Sequence, residues 1–87
     1  MNLPAIEAAA NKLADAAEFH ALHTSFPDMR ERYGKRAADL RHIANDAACA
    51  GDAEYPCEAS LESVRWWLES DDELANAAES YVPARPM

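Results

Sequence analysis

Met29, Tyr33, Arg36, Leu40, Ile43 and Ala47 recur at intervals of four, three, four, three and four residues. At about 100° per residue this set keeps to one stripe of a helix, whereas a strand would send alternate members to opposite faces. The period predicts one long amphipathic helix over about 26–50, on the order of 35 Å in length. Ser25, followed by Phe26-Pro27-Asp28, reads as a capping box with aspartate in place of glutamate or glutamine. Proline in a first turn gives up only an amide that has no partner within the helix. Gly51 is placed to close the helix in the left-handed conformation, and Gly34 inside it allows a bend.

Upstream, Ile6, Ala10, Leu13, Ala17 and Ala21 form the stripe of a first helix over about 4–23, capped by Asn2 or Leu3. Phe19 and Leu22 break the pattern, projecting about 140–160° from the stripe centre. The short turn at Thr24–Phe26 pairs the two helices as a long antiparallel hairpin. Beyond a connection at 52–56, Cys57, Leu61, Val64 and Leu68 mark a third helix over about 57–69. Ser70-Asp71-Asp72-Glu73 reads as a capping box with a helix break at Ser70. It opens a fourth helix over about 71–81, buried through Leu74, Ala78 and Tyr81. From about residue 82 the two prolines of the tail predict fraying. The expectation is an all-α, single small four-helix domain: the long antiparallel hairpin with two shorter helices closing one side.

Composition thins this core without changing its class. Half of the 87 residues are hydrophobic, but 20 of them are alanine. Alanine favours helix and close approach, yet each one buries little area, so self-association would help such a chain. With two glycines and few β-branched residues, strands are not expected. The opening Met-Asn-Leu-Pro has neither the basic nor the apolar region of a secretory signal. No run approaches the ~18 apolar residues of a membrane span. A cytoplasmic protein with reduced thiols is the expectation.

Net charge is −8, spread unevenly. Residues 30–42 hold five Lys or Arg against two acids, while residues 43–87 hold two Arg against ten acids. Such an acidic chain is not expected to bind nucleic acid or an anionic membrane; a protein partner with a basic surface fits better.

The adjacent Trp66 and Trp67 are the most informative candidates. Neighbours on a helix diverge by about 100°, so both cannot face one core. Trp67 flanks the third helix's stripe and Trp66 points nearly the opposite way. Either Trp66 packs on Phe19 and Leu22, or it stands on an exposed patch ringed by acids, suited to anchoring a partner. On both readings these three residues share an environment. Glu58, Glu62 and Glu69 fall within about 40° of one another and form a negative ridge, continued by Asp71, Asp72 and Glu73. The bland reading is a solvated face; the functional one is a surface that competes for a basic groove. Glu69 and Asp72 have the spacing of a carboxylate metal site, but no second Glu-x-x-Glu motif of the pyrophosphohydrolase kind is present.

Arg30, Arg32, Lys35, Arg36 and Arg41 scatter around their helix. Pairing with acids explains them, with Glu31–Lys35 a correctly ordered i, i+4 pair and Arg36, on the apolar stripe, either snorkelling or meeting a partly buried acid. Cys49 and Cys57 are expected as reduced core thiols. With His20 and His23 they match no zinc spacing, and Asp39 with His42 lacks the second motif of a di-iron site. No serine or cysteine has a nucleophile context. No cofactor and no metal is implied.

In size, acidity and lack of catalytic apparatus the chain resembles small phage or mobile-element inhibitor proteins, a likeness of type that rests on no motif. The resulting expectation is a non-enzymatic inhibitor or modulator that presents a nucleic-acid-like acidic face to a basic surface. Trp66, Glu58, Glu62, Glu69, Asp71, Asp72, Glu73, Phe19 and Leu22 would form the contact. The alternative is a self-associating structural protein whose Phe19, Leu22 and Trp66 form a homodimer seam. A small metal-dependent hydrolase ranks third.

Overall fold

Asn2 begins the first helix by accepting a hydrogen bond from the Ala5 amide through its side-chain oxygen, at 3.1 Å. Proline at the second helical position gives up an amide that had no partner. The computed structural model describes residues 2–52 and 54–80. They form four helices: α1 (Leu3–His23), α2 (Pro27–Ala50), α3 (Glu58–Ser70) and α4 (Asp72–Ser80). The chain is a small all-α domain, as the periodicities predict. Tyr81 and the proline-bearing tail lie outside the described residues.

α1 and α2 run in opposite directions. Gly51 lies beside Leu3 at one end, His20 stacks on Tyr33 near the other, and Arg41 reaches across to Asn11, Asp15 and Glu18 between them. Ala5, Ala9, Ala10, Ala14 and Ala17 of α1 and Ala37, Ala44 and Ala47 of α2 are all buried. Side chains this small let the helix backbones approach closely, so alanine forms much of the contact. Leu40, Ile43, Val64 and Leu74 fill what remains and are fully enclosed. α3 returns along α2, tied by a hydrogen bond from Ser63 to Asp46 and by the Arg36–Asp71 ion pair. α4 packs on α1, α3 packs on α2 and α4, and Val64 of α3 joins the core that Ile6, Ala10 and Ala14 of α1 line.

Local expectations were displaced where a neighbouring residue had the stronger constraint. α2 is capped by Phe26, with no side-chain cap bond, and not by Ser25. Proline forces the residue before it into extended backbone, so Phe26 (φ −96°, ψ 118°) takes the cap position. Thr24 Oγ1 accepts from the Phe26 amide instead, at 3.3 Å. Gly51 ends α2 at φ −90°, not left-handed: its amide bonds the Ala47 carbonyl at 3.1 Å and the next amide, of Asp52, tightens the last turn onto the Cys49 carbonyl at 3.3 Å. α2 is helical straight through Gly34. The α3–α4 break falls at Asp71 and not Ser70: the Asp71 amide closes α3 on the Trp67 carbonyl, and its carboxylate caps the Leu74 amide of α4 at 3.0 Å. Leu74 is fully buried and Ala78 half-buried, as the fourth helix requires.

Candidate functional site

α3 is amphipathic, and its two faces have different fates. Val64 is enclosed, and Trp67 and Leu68 pack against the same core. On the far side Trp66 stands 58% exposed. Its ring meets Trp67 edge to face, with centroids 4.9 Å apart, a geometry that sets the quadrupoles favourably and holds the indole upright. Glu62 precedes Trp66 by four residues and Glu69 follows it by three, the spacings that make neighbours on a helix surface. Glu58 lies one turn further along the same ridge. All three glutamates are exposed, and none enters an ion pair among the described residues. Arg65, also exposed, closes on neither Glu62 nor Glu69.

The remaining acids divide. Asp72 is exposed. Asp71 is taken up by the fold: its side chain is only 11% exposed, and both oxygens face the Arg36 guanidinium. Hydrogen bonding to Arg36 holds the Asp71 carboxyl below the usual carboxylate range, and the Leu74 amide adds to the effect. Glu73 also reaches Arg36, at 3.3 Å, but stays largely in solvent. Of the acids expected at the site, Glu58, Glu62, Glu69 and Asp72 are thus free of ion pairs among the described residues, and Asp71 and Glu73 are not.

Phe19 and Leu22 do not join Trp66. They lie at the turn end of α1, where His20 stacks on Tyr33 of α2, whereas Trp66 stands on α3 between Ser63, bonded to Asp46, and Asp71, paired with Arg36. Phe19 instead stacks on His23, with centroids 4.1 Å apart. Angular arithmetic on single helices showed that all three point away from their own stripes, but it carried no information on which helix faces which. The expected single patch is therefore two separate ones.

Among the basic residues, Arg36 meets the partly buried Asp71 and Arg41 pairs with Asp15 and Glu18 of α1. The Glu31–Lys35 pair does not close. Cys49 is exposed and Cys57 half-buried, so neither is a core thiol. Both sit near helix ends, where the stripes run out of neighbours. Among the described residues no three His, Cys, Asp or Glu side chains gather as a metal site would require.

One constellation escaped the periodicity because its members come from different helices. Ser63 Oγ donates to Asp46 Oδ2 at 2.8 Å, and His42 Nε2 lies 3.5 Å from the same oxygen. A hydrolytic triad needs the histidine between serine and carboxylate. Here the carboxylate is central, so His42 is not placed to take the serine proton, and the cluster ties α3 to α2. The groove between α1 and α4 is lined by Ala8, Ala9, Lys12, Leu13, Ala16, Ala77 and Ser80, with no carboxylate or imidazole among them. No protein-family model, curated protein or solved structure matches the chain.

Proposed function

We propose that the chain is a non-enzymatic binding protein whose α3 face docks on a basic surface of a partner protein, blocking or modulating it. The observation behind this reading is the exposed Trp66 standing between Glu62 and Glu69 on a ridge whose glutamates enter no ion pair among the described residues. A desolvated indole supplies contact area at little entropic cost, and surrounding carboxylates steer the encounter and select a cationic target. Helix α3 is fixed to α2 by Val64, by the Ser63–Asp46 bond and at its C-terminal end by Asp71, so the ridge is presented on a rigid element. Surfaces that normally hold DNA or RNA have the required chemistry, which is the mode of action of a phage or mobile-element inhibitor. The chain's own charge of −8 disfavours direct contact with nucleic acid or an anionic membrane. Two free cysteines, Cys49 and Cys57, suit a reducing, cytoplasmic setting.

The test begins with capture of partners on the immobilised chain, followed by titration of the purified partner. Affinity should fall steeply between about 0.1 and 1 M salt, over which the screening length shrinks from about 10 to about 3 Å. Trp66→Ala should weaken it about 30-fold, equivalent to about 2 kcal/mol. Salt-independent affinity, or binding indifferent to Trp66→Ala, refutes the reading.

A further inference from the structure

The Trp66 indole keeps a face for something outside the chain. Its edge-to-face contact with Trp67 (planes at 87°) engages at most one side of the ring, and the residue is largely exposed. Trp67 itself packs against the core, so the pair is anchored from below. Along a helix axis Glu62 lies about 6 Å and Glu69 about 4.5 Å from Trp66, one turn to either side. Both carboxylates are exposed and enter no ion pair among the described residues. Arg65, next to Trp66 in the chain, diverges from it by about 100° and closes on neither glutamate. An uncovered π face thus lies between two carboxylates that hold no cation of their own molecule.

We propose that Trp66, Glu62 and Glu69 form a seat for one arginine side chain of the partner, its guanidinium stacked on the uncovered indole face. The proposal rests on the docking role assigned to α3 and names the side chain which that face selects. The negative face of an aromatic ring attracts any cation, so charge alone does not decide. Shape does. A guanidinium is flat, and its five N–H groups point outward in its own plane. Stacked on the ring, it keeps those donors directed sideways, toward carboxylates one turn up and one turn down the helix. An ammonium spreads its three donors in a cone and holds its water more tightly, so it engages one carboxylate at a time. An apolar side chain would cover the indole but strip water from Glu62 and Glu69 without pairing them, which is unfavourable. A carboxylate is repelled outright. One side chain suffices to cover one indole face, so the seat takes a single arginine and not a basic run.

Titration of the full chain with Nα-acetylarginine amide provides the test, followed through the two indole N–H signals by nitrogen-15 NMR, with Trp67→Phe telling them apart. Nα-acetyllysine amide and Nα-acetylcitrulline amide are the comparisons, at matched ionic strength; citrulline keeps the planar shape and lacks the charge. The Trp66 signal should shift and saturate with the arginine probe about three- to fivefold more tightly than with the lysine probe. Citrulline should not saturate it. Glu62→Gln with Glu69→Gln, shown by circular dichroism to stay helical, should weaken the arginine probe about tenfold. Failure of the arginine probe to saturate overturns the proposal, and so does equal affinity for arginine and lysine. A response centred on Trp67, saturation by citrulline, or indifference to the glutamine substitutions overturns it as well. All of these leave Trp66-dependent docking on a protein standing, because that is read on the captured partner. Partner binding indifferent to Trp66→Ala overturns the docking role and the arginine seat together.

Discussion

The two ends of the α1–α2 hairpin are built from the same helices and the same kind of period, but they meet different surroundings. Toward the base, Ile6, Ala10, Ala14, Leu40, Ile43 and Ala47 are enclosed with Val64 of α3 and Leu74 of α4. Toward the turn, Phe19, Leu22 and Phe26 stand in solvent. Length explains the contrast. α2 has 24 residues and rises about 36 Å, whereas α3 and α4 have 13 and 9 and rise about 20 and 14 Å. Two short helices cannot roof a long hairpin, and they cover the end where small side chains permit the closest approach. The bulkiest residues of the hairpin are left at the uncovered end. An apolar residue's share in stability is therefore set by its position along the hairpin more than by its size.

The sharpest way to break that contrast is to truncate one residue in each region. Leu40→Ala opens a cavity among fully enclosed neighbours and should cost about 2–5 kcal/mol in urea unfolding followed by circular dichroism. Phe19→Ala, although it removes more atoms, should cost less than about 1 kcal/mol because its side chain is already hydrated. Equal losses at the two positions would mean that the tip is packed in solution.

Asp71 stands where the covered region ends, and the next prediction concerns it. Its carboxylate caps α4 and pairs with Arg36, so Asp71→Asn should destabilise the fold by about 1–3 kcal/mol. The folded state holds this carboxyl below its unfolded value of 3.8, with Arg36 the main cause. Unfolding therefore takes up a proton in that range. The stabilisation is complete above the unfolded value and is lost as pH falls through it toward the folded one. Wild type should lose stability below about pH 4 more steeply than Asp71→Asn. Parallel acid limbs would remove Asp71 as the latch between α2 and α4.

How far the sequence revealed this arrangement depended on the range of the interaction. Helix boundaries were legible to within a residue or two, because periodicity and capping act over three or four positions, although the expected caps at Ser25 and Ser70 gave way to Phe26 and Asp71. Arg36, on the apolar stripe, was expected either to snorkel or to meet a partly buried acid; it meets Asp71. Phe19, Leu22 and Trp66 were correctly seen as misfits on their own helices. Their grouping was not legible: it depends on which part of α1 lies beside α3, which no local pattern encodes. Cys49 looked like a core residue only because thiols usually are. The exposed tip went unread for the same reason as the grouping, since Met29 and Phe26 lie on or beside a correct stripe that has nothing opposite it.

Gly34 allows a smaller test at the border between the two regions. A Cβ built there meets no atom within 4 Å, and α2 is helical through the position. Gly34→Ala should therefore raise stability by about 0.5–1 kcal/mol, through reduced entropy of the unfolded chain and better helix propensity. Hydrogen exchange should show added protection of the amides in the first turns of α2, which little else holds. A neutral or harmful substitution would place a neighbour over Gly34, and the open tip would need redrawing.

The smallest expected effect is also the most diagnostic for the ridge. Trp66→Ser removes the largest exposed side chain of α3, yet Val64, Leu68 and Trp67 keep the helix on the core. Stability should change by less than about 0.5 kcal/mol, apart from the lost edge-to-face contact with Trp67, worth up to about 1 kcal/mol. The fluorescence should change sharply in the opposite sense. A Trp67→Phe variant isolates Trp66, whose emission should resemble that of a hydrated indole and be quenched readily by neutral acrylamide. Iodide should quench it much less, because Glu62 and Glu69 repel the anion, and Glu62→Gln with Glu69→Gln should restore iodide quenching. Poor acrylamide quenching would mean that something in the molecule covers Trp66. Equal quenching by iodide before and after the glutamine substitutions would mean that the carboxylates do not border it.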